Sequence, residues 1–133
     1  MKLYLVRHAE AAPGEPDELR ALTEQGRKDA RALGKRLRDD GVSLDAVLAS
    51  PLLRARETAA ELARAAGVEA ETDERLAPGA TADDVRAAIA GRGEAVAVVG
   101  HQPDCGQIAA ALTGGGPEPP FRPAGWLAID LPS

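Results

Sequence analysis

Residues 3–8 read Leu-Tyr-Leu-Val-Arg-His, a short apolar run that ends in two charged or titratable side chains. Two similar apolar runs follow along the chain, Ala46–Ala49 and Ala95–Val99. Short, nearly continuous apolar runs are typical of strands that are buried on both faces of a largely parallel sheet. We therefore predict a strand at each of the three positions, the first covering Leu3–Val6.

Amphipathic stretches with a helical period separate these apolar runs. Ser50-Pro51 provides an N-cap residue followed by proline at the first helical position, and the helix it starts is expected to run to Gly67. Residues 81–84, Thr-Ala-Asp-Asp, resemble a capping box. We expect four helices in all, which begin near Thr23, at Ser50-Pro51, at Thr81 and after Pro103.

The remaining segments complete an alternation of strands and helices. Val68–Thr72 is predicted as a short, more exposed strand, and Trp126–Leu131 alternates like a final strand. Thr113–Gly125 is rich in glycine and proline and is expected to be an irregular connection. This order predicts an α/β fold, with residues 1–133 forming a single three-layer α/β/α domain around a mostly parallel sheet with an antiparallel last strand.

Composition excludes several classes of function. The net charge of −5 argues against a general nucleic-acid binder, although a few arginines in one pocket can still bind phosphate. Cys105 is the single cysteine, so neither a disulfide framework nor a zinc cluster is expected, and we interpret it as a small buried apolar side chain. Four apolar residues separate Lys2 from Arg7, too few for a secretory signal or a membrane span. We expect a cytoplasmic protein that does not contact membranes.

The chain contains two histidines, and both follow predicted strands. His8 comes directly after the first strand, next to Arg7, and His101 directly follows Val96–Gly100. Arg54 lies in the first turn of the helix after the second strand. Ligands of open α/β sheets bind beyond the carboxyl ends of the strands, so these four side chains are expected at one rim. Each of them alone would be unremarkable as a surface, capping or core residue, but together they predict a site.

Two guanidinium groups and two imidazoles, together with the N-termini of the helices that start at Ser50 and near Pro103, form an anion site suited to a phosphoryl group. Phosphoryl transfer requires mainly positioning and charge stabilisation. A neutral imidazole whose other ring nitrogen is held by a partner is a competent nucleophile, and His8 fits that role. His101 is then expected to stabilise charge on the phosphoryl oxygens, together with Arg7 and Arg54.

These motifs resemble those of the histidine phosphatase superfamily, which also includes cofactor-dependent phosphoglycerate mutases. The resemblance extends over essentially the whole chain. It is carried by Leu5–Ala11 around Arg7-His8, by Leu22–Gly26, which reads Leu-Thr-x-x-Gly, by Ser50–Thr58 around Arg54, and by Val99–Pro103, which contains Gly-His-x-Pro.

The resemblance implies that His8 is phosphorylated during the reaction and that Arg7, Arg54 and His101 form the phosphate pocket. The short chain and the Gly-His-x-Pro form look most like the SixA-type phosphohistidine phosphatases, which act on phosphohistidine in signalling or phosphotransfer proteins. We expect a metal-independent hydrolase without a cofactor. A phosphatase of small phosphomonoesters, acting on small phosphorylated molecules, and a non-catalytic phosphate-binding module are the alternatives.

Two positions depart from the family pattern. Ala9 replaces the usual glycine after Arg-His. Many members also carry a catalytic carboxylate after the third strand, where residues 75–79 read Arg-Leu-Ala-Pro-Gly and Ala77 occupies the matching position. SixA-type members likewise lack an obvious acid there. Glu10, Glu74 and Asp104 are candidate substitutes for this acid, although each is interpreted first as a solvated surface residue.

Overall fold

The computed structural model describes residues 1–132. Its strands are β1 (Lys2–Arg7), β2 (Ala46–Ala49), β3 (Ala70–Thr72), β4 (Ala95–Gly100) and β5 (Trp126–Asp130). Its α-helices are α1 (Glu24–Asp39), α2 (Leu53–Ala66), α3 (Ala82–Ile89) and α4 (Asp104–Leu112), and two 3-10 turns cover Asp17–Leu19 and Glu74–Leu76.

The five strands form one sheet in the order β3-β2-β4-β1-β5. The pairings of β1 with β4, β2 with β4 and β2 with β3 are parallel, whereas β5 runs antiparallel to β1. Val6 in β1 is level with Val99 in β4, so the two strands end side by side. This arrangement confirms the predicted α/β fold, including the antiparallel last strand.

Alternate side chains of the central strands face two separate hydrophobic cores. Val96 and Val98 of β4 pack on the side covered by α3 and α4, while Ala97 and Val99 pack on the side covered by α1 and α2. All four are buried. Because both faces of the sheet are covered, the central strands carry few polar residues, as their apolar runs indicated.

Two of the predicted helix starts are confirmed at the level of side-chain contacts. The Thr23 hydroxyl accepts a hydrogen bond from the Gly26 N–H, and Thr81 and Asp84 form a reciprocal capping box. The Ser50-Pro51 start is wrong, because Leu52 is the N-cap of α2 and its side chain caps nothing. The Ser50 hydroxyl lies instead against the ring of His101, 2.7 Å from Nε2.

Other expectations hold with small changes. The short, exposed strand predicted at Val68–Thr72 is β3, reduced to Ala70–Thr72. Residues 113–125 contain neither helix nor strand. Cys105 is buried as expected, and burial raises the pKa of its thiol to about 12. None of the helices within residues 1–132 is long and apolar enough to cross a membrane.

Gly26 shows why the start of α1 needs a glycine. The Thr23 N–H donates to the Glu10 carbonyl, which brings the first turn of α1 against the chain just after His8. A Cβ on Gly26 would overlap the Glu10 carbonyl oxygen and would lie 3.1 Å from the carbonyl carbon. The glycine of the Leu-Thr-x-x-Gly motif therefore permits a backbone contact that supports the site.

We expect Gly26→Ala to destabilise the fold by roughly 1–3 kcal/mol, because the overlap involves backbone that cannot rotate away. In an unobstructed helix the same change would stabilise by about 1 kcal/mol. Urea unfolding would measure the difference. Gly14→Ala is the control, since the nearest atom to its added Cβ is Arg20 Cγ at 3.9 Å. Equal stability of Gly26→Ala and the wild type would contradict the packing argument.

Candidate active site

Three neighbouring strands end at one rim of the sheet and place the two histidines together. The His8 N–H donates to the Gly100 carbonyl at 2.9 Å, and the Ser50 N–H donates to the Val99 carbonyl at 3.1 Å. The centroids of the His8 and His101 rings are 5.2 Å apart. The parallel pairing of β1 and β4 thus continues one residue past β1, to the last residue of β4, and fixes the spacing of the two imidazoles.

All four residues singled out in the sequence line one cavity of about 190 Å³. Arg7 and His8 come from the end of β1, His101 from the end of β4, and Arg54 from the first turn of α2. The rest of the lining comes from the segment after the second 3-10 turn and from the start of α4: Pro78, Gly79, Gln102, Pro103 and Asp104.

The backbone fixes the His8 ring in a form suited to nucleophilic attack. Its Nδ1 lies 2.7 Å from the carbonyl oxygen of Ala9, so Nδ1 carries the hydrogen and donates it. The other nitrogen, Nε2, then keeps its lone pair. Burial lowers the pKa of His8, and the positive charges of Arg54 and Arg7 lower it further, against an opposing effect of the Ala9 hydrogen bond. The ring is therefore neutral at neutral pH.

His101 is also held as a neutral ring. Burial lowers its pKa to about 4, with smaller contributions from His8 and Arg54. Its Nε2 is 2.7 Å from Ser50 Oγ, and this oxygen also accepts a hydrogen bond from the Leu52 N–H. If the Ser50 hydroxyl donates to Nε2, then Nδ1 of His101 carries a hydrogen that can be offered to an oxygen of a ligand.

Two buried polar side-chain atoms have no hydrogen-bond partner within residues 1–132, and both belong to this cavity: Nε of Arg7 and Nδ1 of His101. Arg7 is otherwise held in place, because its NH1 donates to the Phe121 carbonyl at 2.9 Å. Unpaired buried polar groups are costly, so two of them beside one cavity indicate groups that are satisfied by a ligand. An anion with several acceptor oxygens would satisfy both.

Asp17 holds the guanidinium group of Arg54. NH1 of Arg54 donates to the Asp17 carbonyl at 2.9 Å, and NH2 donates to the Asp17 carboxylate at 3.2 Å. Arg20 donates to the other oxygen of the same carboxylate at 3.1 Å. The hydrogen bonds from Arg20 and Arg54 lower the pKa of Asp17. Asp17 does not line the cavity, so it contacts Arg54 away from the ligand space and leaves other N–H groups of the fork free.

Thr58, one turn after Arg54 in α2, connects this helix to the chain after β1. Its hydroxyl donates to the Arg54 carbonyl at 2.8 Å and accepts from the Ala9 N–H at 3.0 Å. Thr58 is fully buried, so these bonds are shielded from water. The Ala9 backbone, which orients the His8 ring, is thereby tied to the helix that carries Arg54.

The three candidate carboxylates have different positions. Glu10 is exposed and accepts a hydrogen bond from the Thr23 hydroxyl at 2.7 Å, while Glu74 is exposed and does not line the cavity. The expectation that Asp104 is a solvated surface residue is wrong. It is 9% exposed, lines the cavity, and accepts a hydrogen bond from the Gly79 N–H at 2.8 Å. This hydrogen bond joins the Asp104 side chain to the Pro78-Gly79 turn.

Sequence reasoning missed the partners of the main residues. Ser50 follows β2 at the same rim, so the argument from strand ends could have found it, but the Ser-Pro pair favoured a helix cap. Thr58 lies four residues after Arg54 and therefore on the same helix face. Asp17 lies in a loop between β1 and α1 that shows no periodic pattern. No group of three or more His, Cys, Asp or Glu side chains within residues 1–132 could hold a metal ion.

A larger groove of about 620 Å³ lies elsewhere, between α3, α4 and the end of β5. Its lining includes Met1, Arg86, Leu112 and Leu131. Apart from Arg86 and the terminal amine, its lining carries no group that could bind or attack a phosphate. The smaller cavity at the strand ends is therefore the candidate site for phosphoryl chemistry.

Comparisons with known proteins agree with this geometry. The structure of the protein histidine phosphatase SixA complexed with tungstate superimposes with a TM-score of 0.90 at 30% identity, covering 98% of this chain and 88% of that one. An uncharacterized protein of Picosynechococcus is 37% identical over 124 residues, which is 86% of this chain and 74% of that protein.

The mitochondrial serine/threonine-protein phosphatase Pgam5 of Drosophila persimilis is 47% identical over 58 residues, which is 43% of this chain but 20% of that protein. The family model for branch 1 of the histidine phosphatase superfamily matches residues 3–78, a range that contains Arg7, His8 and Arg54. By sequence and by fold, the chain belongs to the histidine phosphatase superfamily.

Proposed function

We propose that this protein hydrolyses phosphohistidine in a signalling or phosphotransfer protein through a phosphoryl intermediate on His8. The observation that carries the proposal is the free Nε2 of His8, which is held beside three groups able to bind phosphoryl oxygens. The Nδ1 contact to Ala9 supports a single tautomer, and burial keeps the ring uncharged. A neutral imidazole fixed in this way is ready to attack phosphorus.

The surrounding groups suit the charge that develops during transfer. Arg7 offers Nε, Arg54 offers the N–H groups that Asp17 leaves free, and His101 can offer Nδ1–H. Donors that are already oriented need no rearrangement as charge spreads over the phosphoryl oxygens, and this preorganisation is a major source of catalysis.

The metal-independence expected from the sequence stays a prediction, as does the cytoplasmic location.

The choice of phosphohistidine follows from the leaving group. An ester releases an alkoxide, which benefits from an enzyme acid by about 10²- to 10⁴-fold. The position where many family members carry that acid is Ala77. Imidazole leaves far more readily, because its ring can be protonated by solvent before the P–N bond breaks. An enzyme without the acid therefore loses little on phosphohistidine and much on an alkyl ester.

The surface around the cavity also suits a protein substrate. Leu19 is 59% exposed, the single large hydrophobic side chain of residues 1–132 with this degree of exposure. It lies in the same 3-10 turn as Asp17, which accepts hydrogen bonds from Arg54. An isolated exposed leucine is common, but one in a turn that is bound to an arginine of the phosphate site offers an apolar contact for the protein that carries the phosphohistidine.

A phosphatase of small phosphomonoesters is the second candidate. Asp104 favours it, because a carboxyl group inside the cavity could act as the missing acid. The local likeness to Pgam5 supports ester chemistry but not a small substrate, since the printed name of that relative is a serine/threonine-protein phosphatase.

The substrate class is tested by comparing kcat/KM for a phosphohistidine domain and for a simple alkyl phosphate under identical conditions. We expect a preference for phosphohistidine of at least about 10²-fold, the lower value of a general acid. Equal values, or a preference for the ester, would contradict the proposal and direct attention to Asp104 rather than to Glu10.

We expect Asp17→Asn to reduce kcat/KM by about tenfold or less, because the amide cannot supply the charged acceptor that orients Arg54 and because Asp17 is exposed to solvent. The loss should be the same for every phosphate substrate, and inhibition by vanadate should weaken in parallel. Glu18→Gln removes the same charge from the neighbouring residue and should leave kcat/KM and the inhibition constant of vanadate unchanged. If kcat/KM fell equally in Glu18→Gln, the effect would come from the change in net charge and not from the contact between Asp17 and Arg54.

A further inference from the structure

Asp104 is an unusual residue for an anion-binding cavity. It is 9% exposed and shares the lining with Arg7, His8, Arg54 and His101. Its one hydrogen-bond partner among residues 1–132 is the backbone N–H of Gly79, on Oδ2. None of the ion pairs formed by these residues includes Asp104, so its charge is not neutralised by a cation.

A carboxylate and a bound phosphoryl group repel each other in a partly buried site. The arrangement becomes complementary when the substrate carries a positive N–H group next to its phosphoryl group, because electrostatic complementarity then supports recognition. A phosphorylated imidazole that is protonated on its other ring nitrogen has that pattern of charges. Alkyl and aryl phosphate esters do not.

We propose that Asp104 binds the leaving imidazole through Oδ1, which accepts a hydrogen bond from the protonated nitrogen of the substrate ring. This inference rests on the proposed phosphohistidine activity. It makes Asp104 a determinant of specificity, since the carboxylate stabilises the form of phosphohistidine that reacts and weakens binding of phosphates that offer no N–H group.

The step is balanced without any proton transfer. Nε2 of His8 uses its lone pair to form a bond to phosphorus, and the bond from phosphorus to the substrate nitrogen breaks. The electron pair of that bond stays on the departing nitrogen. The ring already carries a proton on its other nitrogen, so it leaves as neutral imidazole, still hydrogen-bonded to Asp104. Water then releases inorganic phosphate from His8.

Two other roles for Asp104 compete with this one. As a structural residue, it would stabilise α4, because a negative charge in the first turn interacts favourably with the helix dipole, and it would hold the Pro78-Gly79 turn through the Gly79 N–H. As a general acid, it would protonate the oxygen of an ester leaving group. The Asp104→Asn variant separates the three roles, because the amide oxygen can still accept the Gly79 N–H while the negative charge is lost.

The experiment measures kcat/KM of the wild type and of Asp104→Asn for phosphoimidazole and for 4-nitrophenyl phosphate. We expect a loss of roughly 10- to 100-fold on phosphoimidazole, the range for a hydrogen bond to a charged group, and no loss on the aryl ester. As the pH is raised, the variant should lose activity on phosphoimidazole at a lower pH than the wild type does, since the protonated ring is no longer stabilised and loses its proton more easily. Asp83→Asn, at an exposed carboxylate of α3 outside the cavity, should match the wild type on both substrates.

Each other outcome overturns a specific statement. Equal losses on both substrates, with a lowered melting temperature, would assign Asp104 the structural role. A loss confined to the ester would make it a general acid. Unchanged activity of Asp104→Asn on both substrates would show that Asp104 takes no part in the reaction. Failure of the wild type to hydrolyse phosphoimidazole or a phosphohistidine domain, with turnover of the ester, would refute the proposed function itself and this inference with it.

Discussion

The parallel pairing of β1 with β4 is the constraint on which the site depends. The two strands are joined in register from Lys2 and Ala95 to Arg7 and Gly100, and the next residue in each is a histidine. Neither ring could lie 5.2 Å from the other if the register slipped, since one residue of slip turns every side chain to the opposite face. The apolar side chains of both strands, which pack into a core on each face of the sheet, therefore also set the spacing of the two imidazoles.

Around this pair, the fold keeps both imidazoles neutral and concentrates the positive charge on two arginines. Burial is the main reason that the pKa values of His8 and His101 are lowered, and the nearby guanidinium groups act in the same direction. The two neutral rings have different hydrogen-bond partners. Nδ1 of His8 donates to the Ala9 carbonyl, whereas Nε2 of His101 contacts the Ser50 hydroxyl. In the proposed reaction, His8 uses its remaining lone pair for attack and His101 donates its hydrogen to a phosphoryl oxygen.

The strands, their order along the chain and the meeting of Arg7, His8, Arg54 and His101 at one cavity could be predicted because each depends on a local pattern. Apolar runs identified the strands, and their carboxyl ends identified Arg7, His8 and His101. The supporting contacts could not be predicted, because they join residues far apart in the chain: Asp17 is 37 residues from Arg54, and Ser50 is 51 residues from His101. Asp104 was misjudged for the same reason, since its burial depends on a turn 25 residues earlier.

The claim that His8 receives the phosphoryl group is tested most directly by rapid quenching with a labelled phosphohistidine protein. The account predicts an acid-labile, base-stable phosphoryl adduct that forms before phosphate is released, maps to His8 and is absent from His8→Ala, whose hydrolysis should also be lost. Near wild-type hydrolysis by His8→Ala, or an adduct on another residue, would contradict it.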